Sequence, residues 1–133
     1  MRVFLDTNVL VSAFATRGLC ADLLELVLIE HDLVTGRNVL AELEKALRAK
    51  VKLPAARCQE VVDFVSAQSA TLVDGALPAD CRADEDDRRV LGEALAGEAT
   101  TFVTGDAVLL ALGGLGEMRI VNPRQLWELL RER

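Results

Sequence analysis

The sequence is poor in the residues that build zinc sites and disulfide frameworks, because its 133 residues include one histidine and three cysteines. Cys20, Cys58 and Cys81 are far apart, and His31 lies beside none of them. This spacing matches no zinc motif, and an odd, scattered set of cysteines is not a disulfide framework. We therefore expect thiols that are buried or chemically idle.

The chain also lacks an excess of positive charge, since 15 Lys and Arg residues stand against 21 Asp and Glu, a net charge of −6. With a pI near 4.8, it has the wrong sign for a protein held to nucleic acid mainly by its overall field. The first residues carry no cleavage-site pattern, and no apolar run is long enough to span a bilayer. We therefore expect a cytoplasmic protein without membrane contact and with carboxylates available to a cation.

Apolar residues make up 51% of the chain and form alternating strand-like and helix-like segments. Strands are predicted at Arg2–Leu5, Asp32–Thr35, Thr71–Val73, Thr101–Thr104 and Arg119–Val121. Helices are predicted at Val9–Phe14, Cys20–Glu30, Val39–Ala49, Ala55–Ala67, Asp87–Ala96, Asp106–Leu112 and Pro123–Arg131. This alternation predicts an α/β fold whose mainly parallel sheet has helices on both faces. The length fits one domain over residues 1–133.

Two acids follow predicted strands directly. Asp6 comes after the first strand, and Asp106 comes after Thr101–Thr104 and Gly105, which permits a tight turn. Ligands of an open parallel sheet bind outside the carboxyl ends of its strands, where both side chains would lie. Each acid also has the position of a helix N-cap. The residues alone leave capping and catalysis both open.

Asp87 is predicted to point inward from the helix that follows the acidic run Asp84–Asp87. The apolar face of that helix consists of Val90, Leu91, Ala94 and Leu95. At about 100° per residue, Asp87 falls near the centre of this face, whereas Asp86 and Glu93 lie well off it. An inward charge is costly unless it is paired or binds a cation. A first-turn acid that interacts with the helix dipole is the alternative, and Asp84 is a further candidate for the site.

Glu42 completes the predicted set. The helix at Val39–Ala49, with Asn38 as its cap, places Glu42 in the first turn, whereas Glu44 lies on the opposite flank. Carboxylates at one sheet edge, with no His or Cys beside them, describe an oxygen-ligand site for Mg²⁺ or Mn²⁺. Such an ion orients a phosphodiester and lowers the pKa of a bound water. The side chains placed to hold the ligands or the water are Thr7, Asn8 and Thr104.

Together these residues resemble the acidic signature of PIN domains over essentially the whole chain. The matching motifs are Asp6-Thr7-Asn8, Glu42 within Val39–Leu43, Asp84-x-x-Asp87 and Thr104-Gly105-Asp106. The similarity is greatest to small single-domain VapC-type toxins of prokaryotes and their relatives. It implies a three-layer α/β/α sandwich and a metal-dependent endoribonuclease that leaves 5′-phosphate and 3′-hydroxyl ends. It also implies a homodimer, an antitoxin partner, and metal-binding, catalytic acids at Asp6, Glu42, Asp87 and Asp106, with Asp84 as an addition.

The basic residues available to hold RNA are local. A stretch with no acid between Glu44 and Glu60 contains Lys45, Arg48, Lys50, Lys52 and Arg57, and Arg17 lies in the loop after the first helix. These side chains, Arg17, Lys45 and Arg48 first, are candidate phosphate contacts, which would position RNA without reading its sequence. A solvated helix face is the simpler interpretation of most basic residues in this stretch.

Other functions remain open from the sequence. A phosphatase of the haloacid dehalogenase type would need a second Asp where this chain has Asn8, and a receiver domain would need a lysine after Lys52, where none occurs. A PIN-like domain that only binds RNA or protein would be expected to have lost one of the acids. A housekeeping RNA-processing nuclease would share every motif, and analogy of fold does not decide among these.

Overall fold

In the computed structural model, which describes residues 1–132, strands and helices alternate along most of the chain. The strands are β1 (Arg2–Leu5), β2 (Asp32–Gly36), β3 (Thr71–Val73), β4 (Thr101–Val103), β5 (Gly114–Leu115) and β6 (Met118–Val121). The helices are α1 (Thr7–Ala15), α2 (Leu19–Glu30), α3 (Arg37–Ala49), α4 (Ala55–Gln68), α5 (Glu85–Ala96), α6 (Ala107–Leu112) and α7 (Pro123–Arg131). The helices flank the sheet, so the predicted three-layer α/β/α sandwich is confirmed.

The sheet has the order β3-β2-β1-β4-β6-β5, and every pairing except that of β5 with β6 is parallel. Leu5 of β1 is in register with Val103 of β4, which brings Asp6 beside Thr104 at the same edge. The short strand β5 was not predicted, because two residues are too few to show an alternating pattern.

The central strands are buried on both faces, which explains why their side chains are nearly all apolar. Phe4 of β1 and Phe102 of β4 are fully buried and stack with ring centroids 5.4 Å apart. On α7, Leu126 is fully buried and Trp127 packs partly buried against the core. The closing helix therefore belongs to the core packing of this chain.

The cysteines are free thiols, as the sequence predicts. Cys58 is buried, with its Sγ 3.6 Å from the carbonyl oxygen of Leu53, and Cys20 and Cys81 are partly exposed.

Within residues 1–132, none of the helices has the length and apolar content needed to cross a membrane.

Acidic side chains determine where three helices begin. Asp6, Asp84 and Asp106 are the N-caps of α1, α5 and α6, and each accepts a backbone N–H of its helix. Helices α1 and α5 therefore begin at Thr7 and Glu85, two residues before the predicted starts. Each cap uses the Oδ1 atom, so capping leaves the second carboxylate oxygen available for another role.

Helix α3 begins without a local side-chain cap. Its N-cap is Gly36, and Glu93 of α5 accepts the backbone N–H of Asn38 at 2.8 Å instead. The prediction that Asn38 caps this helix is wrong. Glu93, predicted to lie off the inward face, is 1% exposed, whereas Leu95, predicted to face inward, is exposed. Glu93 is buried because α5 packs against α3 as well as against β2 and β3, and the apolar pattern of α5 cannot reveal the neighbouring helix.

We predict that Gly36→Ala destabilises the fold, because a Cβ at Gly36 would overlap the carboxylate of Glu93 and displace it from the backbone N–H of Asn38. The backbone of Gly36 is extended, with φ −137°, so the effect is steric. Overpacking of this kind costs about 1–3 kcal/mol, which a lower urea midpoint with an unchanged slope would report. Gly105→Ala is the matched control, since its nearest contact would be 3.7 Å from Asn8. Equal losses in both variants would contradict the clash.

Candidate active site

The carboxyl ends of β1 and β4 open into a cleft of about 600 Å³ between helices α1 and α3. Four acids line this cleft together: Asp6, Glu42, Asp87 and Asp106. Asp6 and Asp106 follow the two strands, Glu42 comes from α3, and Asp87 comes from the first turn of α5. The structure thus brings into one cleft the four carboxylates that the sequence nominates as metal ligands.

Asp6 is held in one orientation by its neighbours. The residue is 8% exposed; Oδ1 accepts the backbone N–H of Thr7 at 2.8 Å, and Oδ2 accepts the hydroxyl of Thr104 at 2.8 Å. Burial raises the pKa of Asp6, hydrogen bonds from Thr104 and Thr7 oppose the rise, and the charge of Asp106 adds to it. The carboxylate is therefore oriented but has no opposite charge to offset its own.

Glu42 is oriented by the same threonine that contacts Asp6. Its Oε2 accepts the hydroxyl of Thr7 at 2.7 Å. Burial raises the pKa of Glu42, the hydrogen bond from Thr7 opposes this, and nearby carboxylates, Asp6 first, raise it further. Because α3 begins at Arg37, Glu42 lies in the second turn of the helix, and the predicted first-turn placement is wrong.

Asp87 is half-buried, and its pKa is raised to about 6. Burial is the largest cause, followed by the charges of Asp84, Asp106, Asp6 and Glu42. Asp84 itself is exposed and does not line the cleft, and its Oδ1 accepts the backbone N–H of Asp87 at 2.8 Å. The structure therefore places Asp84 as the cap of α5 at the margin of the site.

The loop that carries Asp106 is tied to β1 and α1. The hydroxyl of Thr104 accepts the backbone N–H of Asp106 at 3.0 Å while donating to Asp6. The side-chain oxygen of Asn8 accepts the backbone N–H of Gly105 at 3.2 Å. Thr104 therefore contacts both Asp6 and the loop that carries Asp106, and Asn8 contacts the same loop. Thr7 contacts Asp6 and Glu42.

The cleft concentrates negative charge on oxygen donors. Within residues 1–132, none of the four acids forms an ion pair with Lys or Arg. In the same part of the chain, no group of three His, Cys, Asp or Glu side chains is arranged to hold a metal ion. A hard divalent cation fits an all-oxygen set of this charge, and Mg²⁺ commonly takes one or two carboxylates while keeping several waters.

Basic side chains line the cleft beyond the acids. Lys45, on α3, and Lys50, at the end of α3, both face it. Arg48 pairs with Glu44, and neither Arg48 nor the exposed Arg17 lines the cleft. Lys45 and Lys50 both belong to the predicted basic stretch. The lining residues Glu42, Lys45, Ala46, Ala49 and Lys50 follow the i, i+3, i+4, i+7, i+8 spacing of one helix face.

A mainly parallel α/β sandwich with four carboxylates in a cleft at its strand ends has its candidate site where open α/β sheets bind their ligands. The family model of the PIN domain matches residues 2–107, a range that includes all four acids of the cleft. The chain therefore belongs to the PIN domain family. Members of this family are generally nucleases and generally use divalent metal ions.

Among solved structures, the chain is similar to a chain of VapBC2 from Rickettsia felis, crystallised bound to a DNA fragment from the promoter. The TM-score is 0.66 at 18% sequence identity, and the match covers 92% of this chain and 98% of that chain. At this identity the likeness concerns the fold. A search of curated proteins gave no matching relative. The resemblance to PIN domains that the sequence motifs indicate is confirmed by the family match.

Proposed function

We propose that this chain, as one domain over residues 1–133, is a metal-dependent endoribonuclease of VapC type that hydrolyses RNA phosphodiester bonds. The observation that carries the proposal is the presence of Asp6, Glu42, Asp87 and Asp106 in one cleft. Membership of a family of nucleases supports the reaction class. Holding several carboxylates together without an opposite charge destabilises the fold. A function that needs no cation would not explain why these four acids lie together.

The oxygen donors of the cleft suit Mg²⁺ or Mn²⁺, and among Asp6, Glu42, Asp87 and Asp106 one or two carboxylates would hold the ion directly and the others through its bound waters. When bound, the ion would neutralise charge on the phosphodiester and activate the attacking water. Thr7 donates to both Asp6 and Glu42, so these two acids are oriented before the ion arrives. Fixed donors of this kind improve metal affinity and the alignment of the reacting groups.

RNA would lie along the cleft with its phosphates near Lys45 and Lys50. The lining also includes the small side chains Ala46 and Ala49 on α3 and Ala15 on α1, which leave room for a strand. The lysines supply local positive charge in a chain of net charge −6. Contacts to phosphate position RNA and carry no sequence information.

We further propose that the chain is the toxin of a toxin–antitoxin pair, forms a homodimer and acts in the cytoplasm, where its RNA substrates are. The fold shared with a chain of a VapBC2 complex supports this assignment. A housekeeping nuclease would have the same cleft. A gene for a small DNA-binding protein directly beside this one would support the toxin, and its absence would favour the housekeeping role.

Cleavage of a mixed-sequence RNA by the purified protein tests the reaction. We expect cleavage with Mn²⁺ or Mg²⁺, none in EDTA, and products that a 5′-phosphate-dependent exonuclease degrades. A catalytically inactive sample that still binds Mn²⁺ in calorimetry would indicate a binding role and contradict the nuclease. Cleavage that persists in EDTA would contradict the metal requirement.

We predict that Lys45→Ala and Lys50→Ala each raise KM for RNA and leave kcat nearly unchanged, because each removes one phosphate contact. In a plot of log affinity for single-stranded RNA against log salt concentration, the slope should become shallower by about 0.7 for each lysine removed. Arg48→Ala is the matched control, since Arg48 pairs with Glu44 and does not line the cleft. A larger loss of affinity in Arg48→Ala than in the lysine variants would contradict this path for RNA.

A further inference from the structure

Glu93 is a buried acid that the proposed reaction leaves without a role. It belongs to α5, is 1% exposed, and accepts the backbone N–H of Asn38 through Oε2 at 2.8 Å. Burial raises the pKa of Glu93, and hydrogen bonds from the backbone of Asn38 and Val39 and from the Asn38 side chain oppose the rise. A buried carboxylate without an opposite charge beside it is unfavourable for folding. The contact that Glu93 makes with α3 therefore needs an explanation beyond the filling of space.

The usual cap of a helix is a Ser, Thr, Asp or Asn side chain at the N-cap position. Helix α3 has Gly36 there and no side-chain cap from that residue. A Cβ on Gly36 would overlap the carboxylate of Glu93, so the cap from α5 occupies the space that a local cap would need. A local cap would satisfy the same N–H group, but only a cap from α5 fastens the start of α3 to α5.

Both helices joined by this contact carry acids of the cleft. Glu42 lies one helical turn beyond Asn38 in α3, about 6 Å along the axis and on nearly the same face. Asp87 lies in the first turn of α5, about 9 Å along the axis from Glu93. Because a helix is stiff over such distances, the contact between Glu93 and Asn38 links the positions of Glu42 and Asp87.

We propose that Glu93 is a positioning residue of the nuclease site, whose carboxylate fixes the first turn of α3 on α5 and so holds Glu42 in place relative to Asp87. The inference rests on the proposed function. Glu93 makes no contact with RNA or the cation in this role, and it acts through the position of Glu42. Removing groups that orient metal ligands costs about 10- to 100-fold in metal affinity or activity.

The test compares Glu93→Ala with Glu93→Gln, which keeps an acceptor oxygen for the N–H of Asn38. For Glu93→Ala we expect kcat to fall about 10- to 100-fold at unchanged KM for RNA, and the Mn²⁺ affinity measured by calorimetry to fall about 10-fold. Glu93→Gln should restore both to near the wild-type values. Glu25→Ala, at an exposed position of α2, is the control for loss of a glutamate.

A cycle with Glu42→Gln separates positioning from a general loss of structure. If Glu93 acts through Glu42, Glu93→Ala causes no further loss of Mn²⁺ affinity in the Glu42→Gln background. A full additional loss there, or a folded Glu93→Ala protein with wild-type kcat and affinity, would overturn the proposal.

If Glu93→Ala does not fold, Glu93→Asp takes its place under the same criteria, because its shorter side chain keeps the charge and withdraws the oxygen from Asn38. Wild-type protein that binds Mn²⁺ but cleaves no RNA would refute the nuclease alone. In that case the Mn²⁺ affinities of the Glu93 variants would still decide whether Glu93 positions Glu42.

Discussion

Replacing Asp6 with Asn is expected to lower kcat for RNA cleavage by about 10²- to 10³-fold, the size of effect seen when one preorganised electrostatic group is lost from an active site. Asn has the size of Asp and keeps an oxygen for the N–H of Thr7, so the buried position stays filled. It loses the charge and presents an amide where Asp6 accepts the hydroxyl of Thr104. Single-turnover cleavage at saturating Mn²⁺ measures the change.

Two controls make this result specific. Asp32→Asn changes an exposed acid at the amino end of β2, on the edge of the sheet opposite the cleft, and should leave kcat unchanged. Circular dichroism and thermal unfolding in EDTA establish that Asp6→Asn is folded. Wild-type activity in a folded Asp6→Asn protein would mean that another site, or a contaminating nuclease, cuts the RNA.

Asp87→Asn is expected to have two opposite effects, a loss of cleavage of about 100-fold and a gain in the stability of the metal-free protein. The pKa of Asp87 is about 6 in the fold and 3.8 ordinarily, so the folded state binds a proton more tightly than the unfolded state. Stability therefore falls as pH rises from 3.8 to about 6 and stays low at neutral pH. Asn removes this loss. Because solvent screens a half-exposed group, we expect a Tm about 3 °C higher at pH 7.

The difference in Tm between Asp87→Asn and wild type should vanish below about pH 3, where Asp87 is protonated in both the folded and the unfolded state. Added Mn²⁺ should raise the Tm of the wild type at pH 7 and that of Asp87→Asn less, since a ligand stabilises the state that binds it. Asp86→Asn is the matched control, because the Asp86 side chain is 82% exposed and lies 3.8 Å from Arg89. A Tm for metal-free Asp87→Asn below that of the metal-free wild type at pH 7 would contradict the claim that the negative charge of Asp87 destabilises the fold.

Much of the fold could be predicted because the signals are local. Apolar strands alternating with helices predict a parallel sheet, and acids directly after the first and fourth strands must then lie at one edge. The bounds of α1 and α5 were misplaced because Asp6 and Asp84 extend these helices by capping them. Strand β5 was missed because a pair of residues carries no period.

The parts of the site that could not be predicted depend on contacts distant in sequence. Glu93 looks like an outward-facing polar residue on α5, and only the approach of α3 makes its position buried. Glu42 lies in the second turn instead of the first because α3 begins at Arg37, two residues before the predicted start, where the cap comes from α5. Arg48 was counted as a phosphate contact, although Glu44 at i−4 is the neighbour that holds it.

The most direct test of the cleft as a metal centre is anomalous diffraction from crystals grown with Mn²⁺. We predict a Mn²⁺ peak within coordination distance of carboxylate oxygens from at least two of the four acids Asp6, Glu42, Asp87 and Asp106, and no such peak in crystals of Asp6→Asn. An empty cleft in crystals of protein that cleaves RNA, or Mn²⁺ bound at other acids while cleavage persists, would contradict the assignment of these carboxylates as the catalytic centre.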